Sequence, residues 1–171
     1  MPLTRESRRT VFREIAQLSP VDWPTYESSP LFDRSSLSAL ESDVRLVAEP
    51  WFQYDDHEAV EPFVHAMPLA YVQFDPHDRY VGSTSYEMEA LFRLFLLKEC
   101  HGWDHETALV EYLTQHPDFC EQIGLDSVPN QSALWRSWHH RSTADLQDII
   151  KTAARTILTK AQNAGVTVPR D

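Results

Sequence analysis

Residues 130–141 combine side chains that can hydrogen-bond the edges of nucleic-acid bases. Asn130 and Gln131 carry amide groups, which pair with adenine through two hydrogen bonds, and Arg136 carries a guanidinium that fits guanine or a phosphate. The alternative is that Asn130 only caps a helix and that the tryptophans of this stretch only fill the core. The candidate base- and phosphate-contacting residues are Asn130, Gln131, Ser132, Trp135, Arg136, His139, His140 and Arg141.

The chain around this stretch has the organisation of a helix-turn-helix. An amphipathic helix is predicted from about His105, a turn marked by Gly124 and Pro129 follows, and a second helix then opens with small polar residues. In helix-turn-helix proteins the second helix enters the major groove of DNA, and its N-terminal residues meet the base edges. Residues 105–141 are therefore predicted to bind double-stranded DNA.

A zinc site is an alternative use of the histidines and cysteines that precede this stretch. His101 with His105, and His116 with Cys120, have the i, i+4 spacing that can place two ligands on one helix face. However, a glycine and an aspartate are expected to break the helix inside the first pair, and the chain has no Cys-x-x-Cys motif. We therefore expect surface histidines, buried free thiols at Cys100 and Cys120, and no metal site.

No other motif indicates catalysis or a cofactor. The four glycines are not clustered, so the chain has no glycine-rich phosphate loop. Pairs of histidine with serine or cysteine occur, as eight histidines make them expected by chance. None of the 26 carboxylates is assigned a catalytic role, and the chain alone is expected not to be an enzyme.

The charge of the chain is unusual in composition and in distribution. The 171 residues carry a formal net charge of −11, and 12 of the 15 basic residues are arginines. This balance resembles the proteins of extreme halophiles, whose carboxylates keep the surface hydrated at high salt. Residues 21–128 are acidic, whereas residues 129–171 contain six bases and three acids, a net charge of +3. Nucleic acid is therefore expected at the basic ends.

The same composition predicts a soluble, cytoplasmic protein. No apolar run approaches the roughly 20 residues that a bilayer-spanning helix needs. The N-terminus carries arginines but no apolar segment typical of a secretory signal. Two cysteines are too few for a disulfide framework.

Helical periodicity dominates the chain, so the predicted fold is all-α. Thr84 and Glu87 form a capping-box pattern before a helix whose residues are apolar on nearly every side, as in a core element. Asp104 is expected to cap the helix that follows. The predicted helices cover about residues 5–18, 36–48, 85–101, 105–115, 118–123, 131–140 and 144–163.

These helices are expected to form three regions. Residues 1–83 are acidic and proline-rich, with a basic first helix. Residues 84–165 form the helical DNA-binding domain, which ends in a long amphipathic helix. Residues 166–171 are a linker.

Two long strings resemble a known family. The segments Leu94–Trp103 and Val128–His139 are similar to the N-terminal region of DDE-type insertion-sequence transposases of halophilic archaea, and the resemblance is strongest over residues 66–169. It implies recognition of the inverted-repeat ends of an insertion sequence. In that family an RNase H-like domain with two Asp and a Glu holds the two metals for strand transfer. The chain stops where that domain is expected to begin, so we expect a truncated or split transposase that does not cut DNA alone.

Other functions remain open at the level of sequence. A stand-alone helix-turn-helix repressor, another interaction module or a non-functional remnant of a transposase gene would each fit the pattern. The last helix predicts either packing on the core or pairing with a second chain, so a homo-oligomer or a complex with full-length transposase is possible.

Overall fold

The computed structural model describes residues 44–45, 48–49, 51–53, 59–66, 74, 78–79 and 86–168. This part of the chain is mainly helical and contains no β-strand, only an isolated antiparallel bridge between Asp78 and Ser142. The all-α fold predicted from the sequence is confirmed. In chain order the elements are α1 (Glu61–Ala66), α2 (Met88–His101), α3 (Glu106–Gln115), α4 (Pro117–Gln122), α5 (Gln131–Arg136), a π-helical turn (Ser137–Arg141) and α6 (Ala144–Asn163).

Helix α2 is the centre of the described core. Its side chains are buried on nearly every side, and Leu91, Phe92 and Leu94 are fully buried. The helix ends at Gly102, whose φ of 71° is favourable only for a residue without a Cβ atom. The amides of Gly102 and Trp103 then donate to the carbonyls of Glu99 and Lys98, a Schellman arrangement.

Helix α6 covers α2 along its length and makes the most extensive helix–helix contact among the described elements. Thr143 caps its start by accepting a hydrogen bond from the Leu146 amide at 3.3 Å. Its buried residues recur at helical spacing and form one stripe against the core: Leu146, Ile150, Ala153, Ala154, Ile157 and Ala161. The predicted limits of this helix are confirmed.

A buried arginine ties α1 to α2. Arg93 has no solvent exposure, and its Nη1 donates to the Val64 carbonyl oxygen at 2.7 Å. That carbonyl lies in the last turn of α1, where helix carbonyls lack intrahelical partners and a cation is favoured. Arg93 interrupts the apolar pattern of the sequence, and its hydrogen bond to Val64 links the two helices.

Two predicted helix starts need correction, and three further predictions concern residues outside the described part of the chain. Helix α2 begins at Met88 and not at residue 85, with Glu87 as a cap that makes no side-chain hydrogen bond; Thr84 lies outside the described residues. His105, and not Asp104, caps α3, also without a side-chain bond. The predicted helix at 5–18 and the boundary at residue 83 lie outside the described residues, as does most of 36–48.

In the described part of the chain, no helix is long and apolar enough to cross a membrane. Both cysteines are buried free thiols, as predicted.

Candidate nucleic-acid interface

Helix α5 presents the first candidate residues to solvent. Asn130 caps the helix, since its Oδ1 accepts a hydrogen bond from the Ala133 amide at 2.8 Å. Gln131 and Ser132 follow in the first turn and are exposed. The opposite side of the helix is held by Leu134, which is fully buried. The start of α5 therefore carries free amide and hydroxyl groups on a fixed backbone.

The exposed side of α5 continues into an aromatic and basic surface. Trp135 is 43% exposed and is the one large apolar side chain exposed among the described residues. The rings of His139 and His140 approach its indole, with centroid distances of 4.4 Å and 5.3 Å. Arg136 is exposed on the same helix. We call the set Gln131, Ser132, Trp135, Arg136, His139 and His140 the α5 face.

The π-helical turn explains why both histidines reach Trp135. The sequence predicts one helix over 131–140, but α-helical geometry ends at Arg136. Beyond it, the Ser142 amide donates to the Ser137 carbonyl at 2.9 Å, a bond that spans five residues instead of four. The wider turn brings positions four and five residues after Trp135 alongside it. Single π turns of this kind are frequent at functional sites.

Arg141 is bound within the fold. Its Nε and Nη2 donate to the two carboxylate oxygens of Asp78 at 2.8 and 2.9 Å, and its Nη1 donates to the Tyr86 carbonyl at 2.6 Å. The Arg79 amide also donates to the Arg141 carbonyl at 2.8 Å. We call this set of bonds the Arg141 clamp. Of the candidate residues, Arg141 is thus directed at the fold, whereas the α5 face is directed at solvent.

The inner side of the turn is supported by α2 and α6. The indole of Trp138 packs edge-on against Phe95, with ring centroids 5.1 Å apart. Gln147 donates its amide to the Trp138 carbonyl at 2.6 Å, and the Lys151 ammonium lies 6.0 Å from the centre of the Trp138 ring. Trp138 therefore packs towards the core, as in the alternative interpretation that the tryptophans of this stretch fill the core. Trp135 does not, because it is exposed.

Helices α3 and α5 pack against each other, as the two helices of a helix-turn-helix do. Residues 116–130 lie between them and include α4, so the connection is longer than the three- or four-residue turn of the simplest motifs. Pro117 begins α4 at its first turn, a position where its missing amide proton costs nothing. Gly124 then ends it with a φ of 88°.

Two residues of the zinc alternative, His101 and His116, lie in a second aromatic cluster. The His101 ring stacks on Trp103 at 4.2 Å and contacts the Glu61 carboxylate, with Nε2 and Oε1 2.6 Å apart. Tyr112 stacks on His116, with centroids 4.1 Å apart. Among the described residues, no three His, Cys, Asp or Glu side chains are grouped to hold a metal.

Burial and charge shift the acid–base behaviour of this cluster. Burial by itself would raise the pKa of the Glu61 carboxyl, but the hydrogen bond with His101 and the nearby histidine charges together bring that pKa below its ordinary value. Burial, with a smaller effect from the Glu61 carboxylate, raises the pKa of Tyr112 to about 12. Burial also raises the pKa of the Cys100 thiol.

These shifts predict that the free energy of unfolding is highest at intermediate pH and falls towards both ends of the pH range. The carboxylate of Glu61 stabilises the native state above its ordinary pKa of 4.5, and that contribution is lost as pH falls through the lower native value. At the alkaline end, stability declines from pH 10, where Tyr112 ionises only in the unfolded chain, towards pH 12. Urea unfolding across pH should show a smaller alkaline decline for Tyr112→Phe and a smaller acid decline for Glu61→Gln. Unchanged profiles in both variants would contradict this origin.

Sequence patterns identified the α5 face but missed its supports. Asp78 lies 63 positions before Arg141 and no local pattern links them. Phe95 is one of many apolar residues in α2, so nothing distinguishes it as the contact of Trp138. The i, i+4 spacing of Gln147 and Lys151 is the one available signal, since it places both on one side of α6.

Comparison with known protein families places these features in context. Residues 52–140, just over half of the chain, match the family described as Transposase domain (DUF772). No curated protein and no solved structure matches the chain. The matched residues extend from α1 through the buried α2 to α5 and most of the π-helical turn. Because the match covers both this core and the α5 face, the chain belongs to the Transposase domain (DUF772) family.

Proposed function

We propose that this transposase-family chain binds double-stranded DNA and recognises the inverted-repeat ends of a DDE-type insertion sequence through α5. The observation that carries the proposal is the division of α5 into two sides. Leu134 is buried, while Gln131, Ser132 and Arg136 are exposed together beside Trp135. A helix with this division can enter a major groove without disturbing its own packing.

The chemistry of the exposed residues fits base readout. The Gln131 amide can pair with adenine through two hydrogen bonds, and the Arg136 guanidinium can do the same with guanine. Trp135 offers an apolar surface of the kind that contacts a thymine methyl group. Ser132 can bond either a base or a phosphate. Asn130 retains its second oxygen lone pair and its amide donors while it caps the helix.

The supports of α5 fit a surface that binds a rigid duplex. Trp138 is fixed from α2 by Phe95 and from α6 by Gln147, and the Arg141 clamp fixes the end of the π-helical turn. A preformed surface loses less conformational entropy on binding than a mobile one. Charge also favours this part of the chain, since residues 129–171 carry net +3 while the whole chain carries −11.

The role proposed here is recognition, and we assign no step of strand transfer to the described residues. The acidic, arginine-rich composition suits a cytoplasm of high salt, as in halophilic archaea. Because phosphate contacts weaken as salt rises, binding there would depend strongly on base contacts. Self-association and association with a full-length transposase stay predictions.

Fluorescence anisotropy tests the proposed function. The probe is a labelled duplex from the inverted ends that flank the gene, and the control is a shuffled duplex of equal length and composition. We expect tighter binding to the end duplex, with a preference that persists as KCl is raised into the molar range. Equal or absent binding by protein with a cooperative unfolding transition would contradict the proposal and favour an interaction module or an inactive remnant.

A further inference from the structure

An open cleft on the outer side of α6 is lined by cationic and hydroxyl side chains. Its lining residues are Arg45, Arg155, Thr156, Thr159 and Lys160. Guanidinium and ammonium groups and the Thr159 hydroxyl can donate hydrogen bonds to phosphate oxygens, whereas the Thr156 hydroxyl already donates to the Thr152 carbonyl oxygen at 3.1 Å. No motif in the sequence pointed to this cleft, because Arg45 lies more than 100 positions before the other residues that line it.

The charge of α6 is positive along the part that forms the cleft. The acids of this helix, Asp145 and Asp148, lie at its start, and every ionisable side chain from residue 149 to residue 168 is basic. Lys160 is in contact with an acid, Glu49, whose Oε2 lies 3.4 Å from the Lys160 ammonium. Both side chains of that pair are about 30% exposed (27% for Lys160 and 32% for Glu49), so the pair is weak enough for a phosphate to compete with it.

The cleft is connected to the α5 face through α6 itself. Gln147 holds the Trp138 carbonyl, and positions 147, 151, 155 and 159 follow one another at four-residue spacing. Residues at this spacing are neighbours on the helix surface. With a rise of about 1.5 Å per residue, Arg155 lies about 12 Å along the axis from Gln147, and Lys160 about 20 Å. This reach is comparable to several phosphates of one DNA strand.

We propose that the cleft is a phosphate site, which binds the backbone of the same duplex that α5 reads and extends the contact along α6. The proposal rests on the proposed function, because the ligand is a phosphodiester of that DNA. Lys151 lies between the two contact regions and gives the backbone a continuous basic path from Trp138 to Arg155. Free inorganic phosphate has the same chemistry, so the experiment must separate the two sources.

The test is the salt dependence of DNA binding by an Arg155→Gln variant. Arg155 is exposed, and its contact with Thr152 is long at 3.5 Å, so the substitution is not expected to affect folding. Loss of one phosphate contact should reduce the slope of log Kd against log salt by about 1. The loss should be equal for end and shuffled duplexes. It should disappear with a short duplex that covers only the bases read by α5.

Gln115→Glu is the matched control, because it changes the net charge by the same amount at the exposed end of α3. It should leave the slope unchanged. An Arg155→Gln slope equal to wild type, with the preference for end DNA intact, would overturn the contact of the cleft with DNA and leave the proposed function standing. Failure of the wild type to bind any DNA would overturn both.

A second measurement uses inorganic phosphate alone. Thermal unfolding with increasing phosphate, against chloride at equal ionic strength, should raise the Tm of the wild type more than that of Arg155→Gln. If phosphate distinguishes the two proteins while their DNA salt slopes agree, the cleft holds a free anion and its place in the DNA interface is wrong.

Discussion

An Arg141→Ala substitution should lower the free energy of unfolding by about 3 kcal/mol, an effect of the size found when one partner of a buried ion pair is removed. The guanidinium and the carboxylate of Asp78 are 12% and 11% exposed and share two short hydrogen bonds. The Tyr86 carbonyl would lose its 2.6 Å donor as well. Alanine therefore leaves a desolvated carboxylate and a carbonyl without their donor.

Arg136→Ala is the matched control for this prediction. It removes the same residue type five positions earlier, from an exposed position, and should change stability by less than about 0.5 kcal/mol. Urea unfolding measures both variants. A double-mutant cycle with Asp78→Ala should show a coupling energy near 2 kcal/mol, within the ~0.5–3 kcal/mol range for contacting residues. A cost for Arg141→Ala no greater than that of Arg136→Ala would contradict the clamp.

The two arginines should also differ in DNA binding. We infer that Arg141 positions the π-helical turn, because Asp78 and Tyr86 occupy its donors. Folded Arg141→Ala protein should therefore keep the wild-type salt slope while losing preference for end DNA. If Arg136 contacts phosphate, its alanine variant should instead reduce the slope by about 1.

A Gln131→Ala/Arg136→Ala double variant should abolish most of the preference for end DNA over shuffled DNA. Each bidentate base contact is worth about 1–3 kcal/mol of discrimination. Loss of both should cost about 2–6 kcal/mol, which corresponds to roughly 30- to 20,000-fold in the ratio of the two dissociation constants. Anisotropy titrations against both duplexes give this ratio directly. Stability should change little, because both side chains are exposed.

Asn130 needs a different substitution. Asn130→Ala would remove the cap on the Ala133 amide and cost about 1 kcal/mol of stability, which would obscure any loss of binding. Asn130→Ser keeps a capping oxygen and removes the amide without adding a charge, so it isolates the proposed adenine contact. Gln115→Ala serves as the exposed glutamine control on α3. A Gln131→Ala/Arg136→Ala variant that keeps the wild-type preference for end DNA would show that α5 does not read the bases.

Local sequence patterns predicted the long helices well, because a helix face is formed by residues three and four positions apart in the sequence. The stripe from Leu146 to Ala161 repeats at helical spacing, and Thr143 and Gly165 mark the ends of α6. The start of α2 was predicted three residues too early, because the short capping-box pattern pointed to Thr84 whereas Glu87 holds the cap position.

The candidate site was predictable in composition but not in structure. The amides and the arginine at the start of α5 and along it can be recognised as candidates for base readout from their residue types alone. The π-helical turn and the clamp depend on Asp78 and Phe95, which meet residues 141 and 138 only after the chain has folded. The prediction of Arg141 as a DNA contact rests on its residue type, and a sequence gives no sign that a guanidinium also bonds a distant carboxylate.

Because of the π-helical turn, contact of both histidine rings with Trp135 depends on the number of residues between Ser137 and Arg141. An α-helical turn over the same rise would hold one residue fewer than Ser137–Arg141 holds. Loss of any single residue there would restore a regular helix, yet would bring only one imidazole to the indole. Point substitutions of the same residues would leave the backbone path intact. Among related sequences, a one-residue gap at this turn would therefore mark the chains in which only one imidazole can contact the indole.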